Sequence, residues 1–413
     1  MAFHRAHGRL MVEGVPLSDI AEQFGTPAYV YSRAQLEANW KAYNTAFGTR
    51  AHRIHYAVKA NGNLALLNLL KRLGSGFDIV SGGELARVLA AGATGADLVF
   101  SGVGKSRTEL RDALLAGVGC INVESAPELN RLAGLAAELG IEAPVAFRIN
   151  PDVDPGTHPY ISTGLEQNKF GIPMREAPAL YREAAALPFI RVKGIACHIG
   201  SQLTDLSPIA DTVARVLALA SEIEAMGIAL EHLDLGGGLG IRYKDEQPPA
   251  HADYVRVLSA IPDRYEIHIE PGRSIVGDAG VLLTTVEYLK QTPARHFAIC
   301  DAAMTELIRP ALYEAWHGVE LLEAPGESGV AATYDLVGPV CESADFLAHE
   351  RELSLSAGAR LALMNAGAYG FVMASNYNTR PRPPEILVDG GAVHQIRPRE
   401  RMTDLFGMER PIP

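Results

Sequence analysis

Between about residues 50 and 275 the chain alternates short apolar, β-favouring runs with longer Ala/Leu/Glu-rich stretches whose apolar positions recur at helical spacing. The runs at 55–59, 77–81, 98–101, 121–124, 145–150, 194–198, 232–235 and 267–270 predict strands. Helices are predicted between them, among them 64–73, 83–91, 108–116 and 208–226. Eight strands with intervening helices is the count of an α/β protein built as a (β/α)8 TIM barrel. A doubly wound open sheet is the competitor, and it usually stops at fewer strands. Several runs end in residues with chemistry: Lys59, Asp78, Asn150, His198, Gly236 to Gly238, and Glu270. Barrel active sites are built at the C-terminal ends of strands, so this placement favours the barrel.

After Gly272 the texture changes. Strand-like runs at 281–289, 333–337, 360–364 and 385–388 alternate with loops, and long helices are scarce. This predicts a second, β-rich domain of sandwich or barrel-like form. The expected division is a barrel over 28–275 and a β-rich domain made of 1–27 plus 276–413. Residues 377–384 (Tyr-Asn-Thr-Arg-Pro-Arg-Pro-Pro) read as a stiff loop. Residues 154–168 are the candidate lid, from their length and Gly/Pro/Thr content.

Composition narrows the function classes. A net charge of -11 argues against nucleic acid and against anionic membrane surfaces as partners. Cys120, Cys197, Cys300 and Cys341 show no CxxC spacing, which speaks against a metal site and a disulfide framework and suits a reducing cytosol. The segment Met-Ala-Phe-His-Arg-Ala-His lacks the apolar core of a secretory signal, and no apolar run approaches the roughly 18 residues that span a bilayer. The expectation is a soluble cytoplasmic protein.

Candidate chemistry begins with His55-Tyr56-Ala57-Val58-Lys59-Ala60-Asn61-Gly62-Asn63, where an apolar run ends in a lysine. A lysine in apolar surroundings is costly to keep charged, and once neutral it can attack a carbonyl and form a Schiff base. Its bland reading is a solvated strand end. Asp78 can steer the Lys59 ammonium or serve as a local cap. Leu235-Gly236-Gly237-Gly238-Leu239-Gly240 follows a strand and can bring backbone N–H groups close to a phosphate, or simply make a structural turn. It lacks the acidic partner of a dinucleotide fingerprint. Glu270-Pro271-Gly272-Arg273 combines a carboxylate for a pyridine nitrogen with anion-binding groups; a Glu–Arg surface pair is the alternative. In Cys197-His198-Ile199-Gly200-Ser201-Gln202 the imidazole can stack on an aromatic cofactor ring and Ser201 can reach a phosphate, unless His198 is only structural. Cys341-Glu342-Ser343 offers a thiol as proton donor or as a small core residue. Arg309, four residues before Tyr313, can grip a carboxylate if both face one pocket, or be solvated. Tyr369 places a phenol near a flexible turn.

Together these are the parts of a pyridoxal-phosphate enzyme on a barrel. Along nearly its whole length, the chain closely resembles the diaminopimelate decarboxylase family. That family belongs to the barrel class (fold type III) of pyridoxal-phosphate enzymes, with ornithine decarboxylase and alanine racemase. The resemblance runs from Tyr29-Val30-Tyr31 to Arg380-Pro381-Arg382-Pro383. It also rests on residues 55–63, Ser81-Gly82-Gly83-Glu84-Leu85, Phe100-Ser101-Gly102-Val103-Gly104-Lys105, Asn168-Lys169-Phe170-Gly171, 198–202, 236–240, 270–273, 308–313 and 341–343.

The resemblance implies pyridoxal 5'-phosphate as cofactor, with Lys59 as its Schiff-base lysine, His198 stacked on the ring and Glu270 on the ring nitrogen. It implies Ser201, Gly236, Gly237, Gly238, Gly272 and Arg273 around the phosphate, and Tyr369 between cofactor and substrate. Arg273, Arg309 and Tyr313 would bind substrate carboxylates and Glu342 the distal amine. Cys341 and Glu342 would enter from the partner subunit of a homodimer, with Cys341 or a neighbouring acid as the proton donor. The implied reaction converts meso-2,6-diaminopimelate to L-lysine and carbon dioxide, the last step of lysine biosynthesis. A decarboxylase or racemase of another amino acid, or a non-catalytic regulatory binder on the same scaffold, are the rivals. Two positions depart from the family's pattern: Asn365-Ala366-Gly367, where an Asp-Thr-Gly type is commoner, and Thr305, where asparagine is usual.

Overall fold

In the computed structural model, which describes residues 2–153, 169–324 and 329–412, eight parallel strands close into a barrel. They are β1 (His52–Ala57), β2 (Gly76–Ile79), β3 (Leu98–Phe100), β4 (Cys120–Val123), β5 (Ala143–Asn150), β6 (Ile190–Cys197), β7 (His232–Asp234) and β8 (Glu266–Ile269). Each pairs with the next, and β8 pairs with β1 to leave no edge. Phe77, Ile121, Phe147, Ile195, Leu233 and Ile269 are fully buried on these strands, the pattern of a sheet covered on both sides.

The intervening helices start and stop where side chains satisfy their free ends. Leu64–Leu73 is capped by the Asn63 side chain, which accepts from Ala65 N at 2.9 Å, and it ends at Gly74 in the left-handed region. Arg107–Ala116 opens with a reciprocal Ser106/Glu109 capping box. Such a cap contributes about 1 kcal/mol. A buried ion pair then fixes the loops at the barrel's C-terminal face. Lys105 Nζ donates to Glu128 Oε1 at 2.6 Å and to the carbonyls of Gly102 (2.8 Å) and Asn122 (2.7 Å), tying the exits of β3 and β4 together.

Three histidines fill neighbouring barrel strands. His232 of β7 stacks on His268 of β8 at 4.1 Å, and His55 of β1 lies 4.9 Å from His268. Glycines make the room: a Cβ at Gly76 would sit 2.5 Å from His55 Nδ1, and one at Gly194 would sit 2.7 Å from His232 Nε2. Burial holds all three imidazoles below their ordinary range, His55 at about 4. The unfolded chain therefore takes up protons below about pH 6.5 that the folded barrel refuses, and stability falls as pH drops from there toward 4. His55 alone accounts for about 2 kcal/mol of loss between pH 7 and 5. The carboxyls of Asp234 and Glu270 shift upward and act in the opposite sense. Urea midpoints of wild type and His55→Gln at pH 7 and 5 separate the two contributions. The wild type is expected to lose more on acidification, and equal losses would refute the histidine effect.

The second unit is β-rich. Its sheet runs in the order Phe346–Leu355, Val330–Val337, His296–Cys300, Gly280–Gln291, Ala28–Ser32, Glu385–Asp389, Ala392–Arg397, with Arg360–Leu363 also pairing with Gly280–Gln291. Val30, Val281, Leu283, Ala362, Ile386 and Val388 form its core. The two units divide the chain as Met1–Ala38, Arg242–Glu246 and Ile275–Pro413 against Asn39–Ile241 and Gln247–Ser274. The sequence boundary at residue 28 differs from this, because Ala28–Ser32 pairs with Gly280–Gln291 and Glu385–Asp389 rather than with any barrel strand. The candidate lid at 154–168 lies outside the described residues. Among the described residues no helix is long and apolar enough to cross a membrane.

Candidate active site

Lys59 does not end a strand: β1 stops at Ala57, and the lysine sits in a single 3-10 turn, Val58–Ala60. The turn is anchored from the far side of the barrel seam. Ala57 N donates to the Pro271 carbonyl at 3.1 Å, and a Cβ at Gly272 would come within 2.9 Å of Ala60 Cβ. The lysine turn and the Glu270–Arg273 turn are thus packed as one piece. Lys59 Nζ donates to Asp78 Oδ2 at 2.7 Å; Asp78, within β2, is fully buried, whereas the lysine side chain stays 39% exposed toward a cavity. Asp78 Oδ1 has no hydrogen-bond partner among the described residues.

That cavity, of about 410 Å³, is lined by Lys59, His198, Glu270, Arg148, Ser101 and Asn122, together with the Gly102–Gly104 loop. Glu270 follows β8 and is partly exposed to the cavity, yet desolvation pushes its carboxyl well above the usual range, and the nearby Asp234 and Asp78 push it further. The carboxyl is thereby biased toward its neutral form. Burial, then the charges of Arg148 and Lys59, pushes His198 well below its ordinary value, so its ring is neutral. Gly237 N donates to His198 Nδ1 at 3.3 Å.

The glycine-rich turn after β7 has no room for side chains. A Cβ at Gly237 would lie 2.3 Å from the Glu270 carbonyl, and one at Gly238, whose φ is 113°, would lie 2.6 Å from that of Gly200. On the other flank, Arg273 is buried, and its Nη2 and Nε donate to Ser201 Oγ at 3.0 and 3.3 Å. The fold thus gathers Lys59, Asp78, His198, Ser201, Gly236–Gly238, Glu270, Gly272 and Arg273 in the barrel unit.

Arg309, Tyr313, Cys341, Glu342 and Tyr369 belong to the β-rich unit. Arg309 and Tyr313 open and close the helix Arg309–Tyr313, and a spacing of four places them on one face. Cys341 and Glu342 are exposed on a loop organised by the buried Asp345, which accepts from Met304 N at 2.6 Å and Val340 N at 2.8 Å. Tyr377 OH donates to Glu342 Oε1 at 2.7 Å. Tyr369 is held at φ 55°, the left-handed region where a bulky residue is strained. Thr305 joins a network in which it donates to Glu306 Oε2 at 3.0 Å and accepts from Arg380 Nε at 3.2 Å.

The sequence reading missed Arg148 and Asp234. Arg148 pairs with Glu124 Oε1 at 3.2 Å and lies 4.7 Å over the Phe170 ring. A charged residue inside the apolar run of β5, and an acid just before the triple glycine, were the available signals.

A family model described as "Pyridoxal-dependent decarboxylase, pyridoxal binding domain" matches residues 33–277. A protein of Pseudomonas aeruginosa named diaminopimelate decarboxylase is 56% identical over 100% of this chain and 99% of its own length. The chain belongs to the diaminopimelate decarboxylase family. A family member from Vibrio cholerae is 54% identical over 99% of both chains. The crystal structure of diaminopimelate decarboxylase from M. jannaschii superposes with a TM-score of 0.94 at 39% identity, covering 100% of this chain and 98% of that one. The Helicobacter pylori diaminopimelate decarboxylase complexed with L-lysine gives a TM-score of 0.91 at 40% identity over 95% and 99%.

Proposed function

We propose that the protein decarboxylates meso-2,6-diaminopimelate at its D-configured centre, releasing carbon dioxide and L-lysine in the last step of lysine biosynthesis, with pyridoxal 5'-phosphate as cofactor. The convergence of Lys59, His198 and Glu270 on one cavity carries the reading. The barrel's residues fit the cofactor. The buried acids Asp78 and Asp234 crowd Glu270, a concentration of negative charge that a cationic ring nitrogen would relieve. The bare backbone at Gly237 and Gly238, together with Arg273, suits a phosphate.

When bound, the cofactor supplies the electron sink that accepts the bonding pair left by carbon dioxide. Lys59 provides the amine that holds the cofactor covalently, and Asp78 keeps that amine aimed. His198 presents a neutral face to the ring. Glu270, whose carboxyl is pushed upward by burial and by Asp234 and Asp78, would face the ring nitrogen and hold a proton between them. Ser201, Gly236, Gly237, Gly238, Gly272 and Arg273 would hold the phosphate, and Tyr369 would contact cofactor and substrate. Arg273, Arg309 and Tyr313 receive substrate carboxylates and Glu342 the distal amine. Cys341 donates the proton that replaces the lost carboxylate. Cys341 and Glu342 serve the site of a partner subunit, so the working form is a homodimer. It acts in the cytoplasm, in keeping with four free cysteines.

The assay is carbon dioxide release from meso-diaminopimelate, L-ornithine and L-arginine, with and without added pyridoxal phosphate. Release from diaminopimelate alone, dependent on cofactor, is expected. Equal rates with ornithine would sink the substrate assignment.

A further inference from the structure

Arg309 is buried, and a guanidinium withdrawn from water needs acceptors for its donors and a flat neighbour for its faces. Its surroundings supply both. Nη1 of Arg309 lies 2.9 Å from Nε2 of His317, and the guanidinium carbon stands 4.6 Å over the Tyr243 ring. His317 is fully buried, and its Nδ1 is 2.8 Å from the Met364 carbonyl. A carbonyl only accepts, so Nδ1 bears the proton. Arginine only donates, so Nε2 carries the lone pair that receives it. The imidazole is therefore neutral and fixed in one tautomer from both ends.

The covering ring is fixed as well. Tyr243 N and Lys244 N donate to Glu246 Oε2 at 3.0 and 2.7 Å, and Asn365 Nδ2 donates to the Arg242 carbonyl at 2.8 Å. Tyr243 also meets His317 edge-on at 5.5 Å. Met364 and Asn365 are consecutive, so one turn anchors both the histidine that accepts from Arg309 and the loop whose ring covers it. Asn365 is one of the two positions where the chain departs from its family's pattern, and here it has a definite structural task.

We propose that His317 is a positioning residue for diacid recognition: with Tyr243 it fixes the Arg309 guanidinium in the orientation that receives the substrate's distal carboxylate. This rests on the reading of Arg309 as a carboxylate group of the decarboxylase. An arginine ordered before substrate arrives loses little freedom on binding, so the affinity of the carboxylate end depends on that clamp. Chemistry at the other end of the substrate does not.

The test compares wild type, His317→Leu, His317→Gln, Tyr243→Leu and Arg309→Ala as holoenzymes. It measures KM and kcat with meso-diaminopimelate, and inhibition by L-lysine, which keeps the distal carboxylate, and by 1,5-diaminopentane, which lacks it. His317→Leu is expected to raise KM and weaken L-lysine inhibition by about tenfold or more. Its kcat, its cofactor absorbance and its inhibition by 1,5-diaminopentane are expected to stay near wild type. His317→Gln, whose amide can donate to Met364 O and accept from Arg309, should recover most of the loss. Tyr243→Leu gives the same selective pattern should His317→Leu fail to fold. Equal weakening of both inhibitors, or a fall in kcat at constant KM, overturns the proposal. If Arg309→Ala erases the preference for L-lysine while the His317 and Tyr243 variants keep it, only the positioning role fails. If Arg309→Ala itself keeps that preference, the carboxylate reading of Arg309 fails first.

Discussion

Replacing Lys59 with alanine is expected to reduce carbon dioxide release by about 10⁴-fold or more, the scale on which loss of a covalent catalyst is felt. The argument is geometric. Lys59 is the amine on the cavity that Glu270 and His198 share, it is held at 2.7 Å by a fully buried aspartate, and its turn is packed against Gly272. Lys105, beside the Gly102–Gly104 loop of the cavity, is locked in its buried pair with Glu128. Borohydride reduction of the wild type with pyridoxal phosphate should add the mass of the reduced cofactor to the peptide carrying Lys59, and the variant should gain none. Cys341→Ala is expected to keep that labelling while slowing turnover by roughly 10²–10⁴-fold. If the site is shared across a two-fold dimer, mixing the two inactive variants restores about a quarter of wild-type activity, because half the dimers are mixed and each has one intact site. Labelling at another lysine would end the mechanism, and absence of any rescue would end the shared site alone.

Much of the barrel was legible because its strands are short apolar runs and their chemistry sits just beyond them, as at Ile269 followed by Glu270 and Cys197 followed by His198. Strand ends were less so. The run at 55–59 stays apolar through Val58, yet the backbone turns after Ala57 because Pro271 captures its N–H, a contact more than two hundred residues away in sequence. The same kind of long-range pairing decides Ala28–Ser32. Followed by the helix Arg33–Phe47, it looks locally like any β/α unit of the barrel, and only its pairing with Gly280–Gln291 places it in the other sheet. Among site residues, Lys59, His198 and Glu270 stand out in sequence because each breaks an apolar run. Arg148 and Asp234 were hidden inside such runs, where their function depends on which way the strand faces the cavity. The loop that presents Cys341 gave a motif but no support. Its Asp345 has meaning only once Met304 and Val340 are seen to donate to it.

Glu270→Gln is the second substitution with a large expected effect, a fall in kcat of about 10²–10⁴-fold with the cofactor still linked to Lys59. Burial and the charges of Asp234 and Asp78 push the Glu270 carboxyl well above its ordinary range. With the cofactor bound, a carboxylate at this position would hold a basic ring nitrogen in its cationic form, and that cation would in turn relieve the crowding of Glu270, Asp234 and Asp78. Glutamine matches the shape and can hydrogen-bond, but it has no negative charge to hold the ring cationic. The electron sink then weakens at the step that expels carbon dioxide, while binding through the phosphate groups and Lys59 is unaffected. The measurements are cofactor content per chain, borohydride labelling at Lys59, and kcat at saturating diaminopimelate. Normal labelling with a collapsed kcat is the expected pairing. Full turnover in the glutamine variant would show that the acid serves the fold and not the reaction, and lost labelling would move its role to cofactor binding.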